Sequence, residues 1–144
     1  MAELRSASIL YPAFAMFVLT AAVFVRMAQV RFRAVGRGEM QAEFYRTYQA
    51  GAEPDYMRVV TRNFVNLFEV PVLFYVVVVL IYVTRQTSPW FLGCAWTYVA
   101  LRYVHTYVHL GRNDVLLRFR IYLASWIVLT VTWVSLFVRL ASGT

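Results

Sequence analysis

The sequence predicts an all-α fold, an integral membrane four-helix bundle, and three observations carry that expectation. Of its 144 residues 61% are hydrophobic and 15% charged, whereas soluble proteins are typically about 45–50% apolar and about 25% charged. Four long apolar segments stand out, at about 9–30, 59–83, 90–110 and 116–140. Each has the roughly 20 residues needed to cross about 30 Å of hydrocarbon at about 1.5 Å per residue. The whole length, 1–144, reads as one domain, with no internal repeat or low-complexity tract.

The first segment follows a short charged start, MAELR, as a signal peptide would. Its apolar run continues past Val25 and no small-residue cleavage site follows, so it reads as a retained span. The stretch from Arg31 to Arg58 reads as a long polar loop holding Gly36, Gly38, Gly51 and Pro54. The connections Thr84 to Pro89 and Gly111 to Val115 are tight, which makes the second, third and fourth helices antiparallel neighbours. Loops one and three with their flanks hold eight arginines: Arg31, Arg33, Arg37, Arg46, Arg58, Arg112, Arg118 and Arg120. The other side holds Arg5, Arg85 and Arg139. By the positive-inside rule both Arg-rich loops face the cytoplasm and both termini lie opposite.

All fourteen basic residues are Arg, against seven acids, for a net charge of +7. Guanidinium stays protonated where a buried ammonium would not, and its planar fork matches carboxylates and phosphates. Genomic base composition is an equally simple source of the bias. The arginines are scattered among hydrophobic segments rather than gathered on a polar face, which excludes nucleic acid as a partner. The single cysteine, Cys94, allows no intrachain disulfide, CxxC pair or cysteine zinc site, and its apolar surroundings read as those of a packed thiol.

Ionisable groups inside a span cost about 2.5–3.5 kcal/mol each on insertion scales, so each calls for an explanation. In the second segment Arg58, Arg62, Asn66 and Glu69 step by four, four and three, which puts them on one helical stripe. Glu69 lies roughly 15 Å along that helix and needs a cation, either an arginine of the protein, such as Arg62, or the amine of a ligand. In the third segment Arg102, His105 and His109 form a second stripe. Thr106 stands where a zinc HExxH motif would need Glu, and both histidines share one helix, so neither a metal site nor a haem is expected. In the fourth, Arg118, Tyr122 and Ser125 share a face, and Arg118 and Arg120 also serve as anchors to lipid phosphate.

The topology gathers Arg31, Arg62 to Glu69, Arg102 to His109 and Arg118 in the cytoplasmic half of the bundle. Guanidiniums with one carboxylate, an amide and imidazoles, bordered by lipid, suit a small zwitterionic cytosolic ligand with several carboxylates. Lipid beside that pocket would deliver an apolar second substrate.

Three motifs carry a resemblance. Arg62-x-x-x-Asn66-x-x-Glu69 followed by Pro71, Gln29-Val30-Arg31-Phe32-Arg33 at the end of the first helix, and Arg102-x-x-His105-Thr106 through Leu110-Gly111 to Arg118 and Tyr122 together resemble the MAPEG family. These are membrane-associated proteins in eicosanoid and glutathione metabolism, and the match is nearest to the family's prostaglandin E synthase and glutathione transferase members. The resemblance spans all four helices. It implies a homotrimer that binds glutathione as cosubstrate between subunits, near the cytoplasmic face. It further implies that Arg31, Arg62, Asn66, Glu69, His105, His109 and Tyr122 line the site, with Arg118 nearest the thiol. A fixed cation there would hold the nucleophilic thiolate for attack on a hydrophobic electrophile or peroxide.

Two positions depart from the prostaglandin synthases: His109 replaces a Tyr and Phe119 a Ser, which argues against prostaglandin E synthesis. The expected activity is therefore that of a glutathione-dependent membrane transferase or peroxidase. The alternative is a non-catalytic scaffold, lipid-binding protein or accessory subunit of a larger membrane complex. A small transporter is disfavoured because no broken-helix pattern is visible.

Overall fold

The computed structural model describes residues 7–41, 44–47 and 53–143; Arg5 and Gly51, used above for orientation and loop assignment, lie outside them. Among the described residues the secondary structure is helix joined by turns, with no strand. In order these are α1 (Leu10–Gly36), α2 (Phe44–Thr47), α3 (Asp55–Asn66), α4 (Val70–Val83), α5 (Pro89–Leu110) and α6 (Val115–Ser142). Helix α5 packs on α1, α3 and α6, while α4 lies against α1 and α6.

Two departures from the sequence reading shape the site. The expected second span is broken: α3 ends at Asn66 and α4 begins at Val70, with Leu67, Phe68 and Glu69 between. Pro71 is the cause, because it has no N–H to donate and its ring clashes with the carbonyl four residues earlier, that of Leu67. The reading of an uninterrupted segment is corrected accordingly. The second departure is that α1 runs on to Gly36, so Arg31 and Arg33 sit on helix rather than in a loop. A helix need not end where its hydrocarbon contact ends. It stops where the N–H groups of Arg37, Gly38 and Glu39 take up the carbonyls of Arg33, Val35 and Ala34, with Gly38 at φ +69.

Among the described residues three helical stretches are long and apolar enough to cross a membrane: Leu10–Gly36, Asp55–Val83 across its break, and Val115–Ser142. Helix α5, at 22 residues, has the length but falls short of the hydropathy of those three. Its polar residues Arg102, His105 and His109 are turned inward and buried. Large apolar side chains cover the outer faces, Phe14, Phe17, Phe24 and Phe137 all being more than half exposed. On helices of this length such a surface fits hydrocarbon, compatible with a multi-pass integral membrane protein.

The main core joins Met16, Leu19 and Val23 of α1 with Phe74, Val77, Val78 and Ile81 of α4, Phe91, Ala95 and Tyr98 of α5, and Leu129 and Leu136 of α6. The Phe74 and Tyr98 rings stack at 4.4 Å. Two buried hydroxyls here are satisfied within their own helix, Ser125 donating to the Tyr122 carbonyl at 2.7 Å and Thr132 to that of Val128 at 2.8 Å, while the Tyr98 hydroxyl has no partner among the described residues. Cys94, half-buried, lines an apolar cavity of ≈ 330 Å³ between α5 and α6, so it is less enclosed than a packed core thiol. A second, smaller core (Met27, Val30, Ala34, Met40, Phe44, Met57, Val60) ties α1 to α2 and α3.

Candidate functional site

The buried positions of α5 are Phe91, Ala95, Tyr98, Val99, Arg102, His105, Thr106 and His109, an unbroken inward stripe at helical spacing. Its first half is apolar or aromatic. From Arg102 onward it carries the polar groups of the site.

Arg102 is fully buried. Its Nη2 donates to the carbonyl of Asn66 at 3.1 Å, and its guanidinium lies 5.6 Å from the Tyr122 ring centroid. Asn66 is the last residue of α3, where the break before Pro71 leaves carbonyls without helical partners. Arg102 therefore joins α5 to the broken end of α3 and faces α6 as well. One turn further, Thr106 donates to Asn63 Oδ1 at 3.4 Å, a second tie between the same helices.

Helix α6 begins on Asp114, whose carboxylate accepts the Leu117 N–H at 2.9 Å as an N-cap. Arg118 follows one turn later and donates to the side-chain oxygen of Asn113. The positive end of the α6 dipole and the Arg118 guanidinium thus converge on one place, an arrangement that favours an anion.

Two cavities meet at this point. One, of ≈ 250 Å³, is lined by Asn66, Glu69, His105, Val115, Arg118, Phe119 and Tyr122. The other, of ≈ 540 Å³, is lined by Asp55, Arg58, Val59, Arg62, Asn66, His109, Asn113 and Arg118. Asn66 and Arg118 belong to both. Their sizes fall within or near the ≈ 300–1,000 Å³ usual for small-molecule sites.

Around them, buried polar atoms lack partners: Nδ2 of Asn63, Nε and Nη1 of Arg102, and Nδ1 of both His105 and His109. Buried groups of this kind ordinarily find a hydrogen bond, and clustering beside a cavity is what a ligand-binding site requires. Nor does Glu69 close on an internal cation. Among the described residues no ion pair reaches its carboxylate within 4 Å, whereas Arg58 is held by Asp55 at 3.1 Å.

Of the eight residues singled out in the sequence, Arg62, Asn66, Glu69, His105, His109, Arg118 and Tyr122 come together on these two cavities. Arg31 does not. It sits against Tyr45, its guanidinium 5.3 Å from that ring, beside the smaller core. Sequence reasoning left out Asn63, Asn113, Val115 and Phe119 as lining or supporting residues. Asn63 carried a legible signal, three positions before Asn66 on the same helical face. So did Asn113, as a residue type suited to ending a helix in the left-handed conformation.

With the geometry in place, comparison with known proteins is decisive on one point. The MAPEG family profile matches residues 9–138, nearly the full chain. The chain belongs to the MAPEG family. No curated protein and no solved structure matches it. MAPEG proteins as a family are membrane-embedded and linked to glutathione chemistry. In this MAPEG chain, the cavities just described span the stretch from α3 to the start of α6 and lie entirely inside the matched region.

Proposed function

We propose that the chain is a glutathione-dependent membrane transferase or peroxidase acting on hydrophobic electrophiles. The single observation that carries this reading is the paired cavity at Arg118, ringed by cations and by buried polar atoms with no partner inside the protein. The donor set fits glutathione. Arg62 and the imidazoles of His105 and His109 suit its carboxylates, Glu69 suits its amine, and Asn66 and Tyr122 offer hydrogen bonds to the peptide. Arg118 is assigned the thiol, because a nearby fixed cation favours thiolate over thiol.

In the transferase reaction the thiolate sulfur forms a bond to an electrophilic carbon, and the leaving group departs with its electron pair. In the peroxidase reaction the sulfur attacks a peroxide oxygen and the O–O bond breaks. The alkoxide leaves and takes a proton to become the alcohol, the sulfur is left as a sulfenic acid, and a second glutathione thiol displaces water from it to form the disulfide. Phe119 and Val115 provide an apolar border where the electrophile would arrive from lipid.

The same reading takes the protein as a homotrimer of four-span protomers, with loops one and three cytoplasmic and both termini opposite. A site between subunits would bring Arg31 from a neighbouring copy, which accounts for its distance from the cavities within one protomer. The test is transfer of glutathione to a generic aromatic electrophile by purified protein, with Arg118→Ala alongside. Activity that depends on Arg118 supports the enzyme; a folded trimer that binds no glutathione supports the scaffold.

A further inference from the structure

We infer that Asn113 is a positioning residue for Arg118: its side-chain amide holds the guanidinium toward the cavity without cancelling its charge. This rests on the role given to Arg118 above. Asn113 lies in the short turn between α5 and α6 with φ 52, one of two non-glycine residues at positive φ among those described. That conformation admits Asn more readily than most side chains, but Gly would serve the backbone better. The need for a left-handed residue therefore explains the turn and leaves the choice of Asn to its side chain.

The side chain is firmly placed. The Asn113 N–H donates to the Val108 carbonyl at 2.8 Å, tying the residue to the end of α5. Its Oδ1 accepts from Nη1 of Arg118, and both residues line the larger cavity. Arginine is a long side chain with many rotamers, and one fixed oxygen selects among them.

The chemistry of the acceptor matters as much as its position. Among the described residues no carboxylate lies within ion-pair distance of Arg118. Asp114, next in sequence, has its carboxylate committed to the α6 N-cap. A neutral amide oxygen orients the guanidinium and leaves its full charge for an anion; an aspartate at 113 would orient it and neutralise it.

Two isolated substitutions separate this role from a structural one. Asn113→Gly keeps the left-handed turn and removes the acceptor. Asn113→Asp keeps shape and acceptor and adds a negative charge. The readout is the ultraviolet absorbance of glutathione thiolate bound to the full-length protein, followed against pH, with thermal unfolding as the check on folding. In both variants the pH at which the band is half-formed is expected to rise by about one, a roughly tenfold smaller ionisation constant for the bound thiol. In an Arg118→Ala background Asn113→Gly is expected to add nothing, because the two act as one unit.

If Asn113→Gly does not accumulate folded, Asn113→Ser, whose hydroxyl is too short to replace the amide, gives the same reading. A wild-type titration curve in either variant, or full rescue by Asn113→Asp, overturns the inference. A wild-type protein that shows no thiolate band at all sinks the proposed function instead, so the two failures are distinguishable.

Discussion

Along α5, Phe91, Ala95, Tyr98 and Val99 occupy the same inward stripe as Arg102, His105, Thr106 and His109, yet the two halves meet different surroundings. The first half packs against Phe74, Val77, Val78 and Ile81, and the Tyr98 hydroxyl is its one buried polar side-chain atom without a partner among the described residues. The second half faces a broken helix, two cavities and the start of α6, and four of its side-chain neighbours or members keep partnerless buried polar atoms. One helix with one periodicity therefore packs at one end and borders two cavities at the other. Helix geometry decides which residues turn inward; what those residues meet there decides whether they pack or bind.

The largest expected effect falls on the binding end. Arg118→Ala should lower kcat/KM for glutathione transfer by about 10²–10³-fold, the usual result of removing one donor to a developing or bound anion, with no loss of thermal stability. An equal loss of activity and folding would mean that Arg118 is part of the packing. Next comes the closed end. Phe74→Ala removes a buried ring stacked on Tyr98 and should cost about 3 kcal/mol of stability, read by unfolding in detergent. Glutathione affinity of the folded protein should stay as it was, and a parallel drop would show that the two ends are not separable.

A smaller effect is expected for Glu69→Gln, which removes the charge proposed for the ligand's amine. Glutathione binding should weaken about tenfold, in line with a charge-assisted hydrogen bond, while thermal stability holds because no internal ion pair is broken. Loss of stability with unchanged binding would return Glu69 to a structural role. Smallest of all is Thr132→Val, at a hydroxyl already satisfied within α6, where stability and activity should both change by less than about 0.5 kcal/mol.

Much of this arrangement was legible before any coordinates. Apolar length marked the helices, and the three-and-four spacing of Arg102, His105 and His109 marked a buried polar stripe, because helical period alone aligns such residues. Asn66 lines the cavities by the same helical spacing as Arg58 and Arg62, but Glu69 does so for a reason the periodicity does not contain. Treated as one stripe with Arg58 and Arg62, Glu69 in fact lies in the break that Pro71 causes, and it reaches the cavity where the chain has left the helix. Pro71 was visible, but its consequence depends on Arg102 to receive the freed carbonyl of Asn66, a contact 36 residues away in sequence. The extent of α1 was hidden for another reason, since hydropathy reports where a helix leaves hydrocarbon and capping reports where it ends. Arg31 illustrates the gap: its motif pointed to the site, and within one protomer its neighbours are Tyr45 and the smaller core.

The central claim is that the open end of the bundle holds glutathione as a thiolate against Arg118. Difference absorbance on adding glutathione to the purified protein at neutral pH tests it most directly, with Arg118→Ala in parallel. The account predicts a thiolate band in the wild-type protein that is lost in the variant. No band in the wild type, or the same band in both, would contradict it.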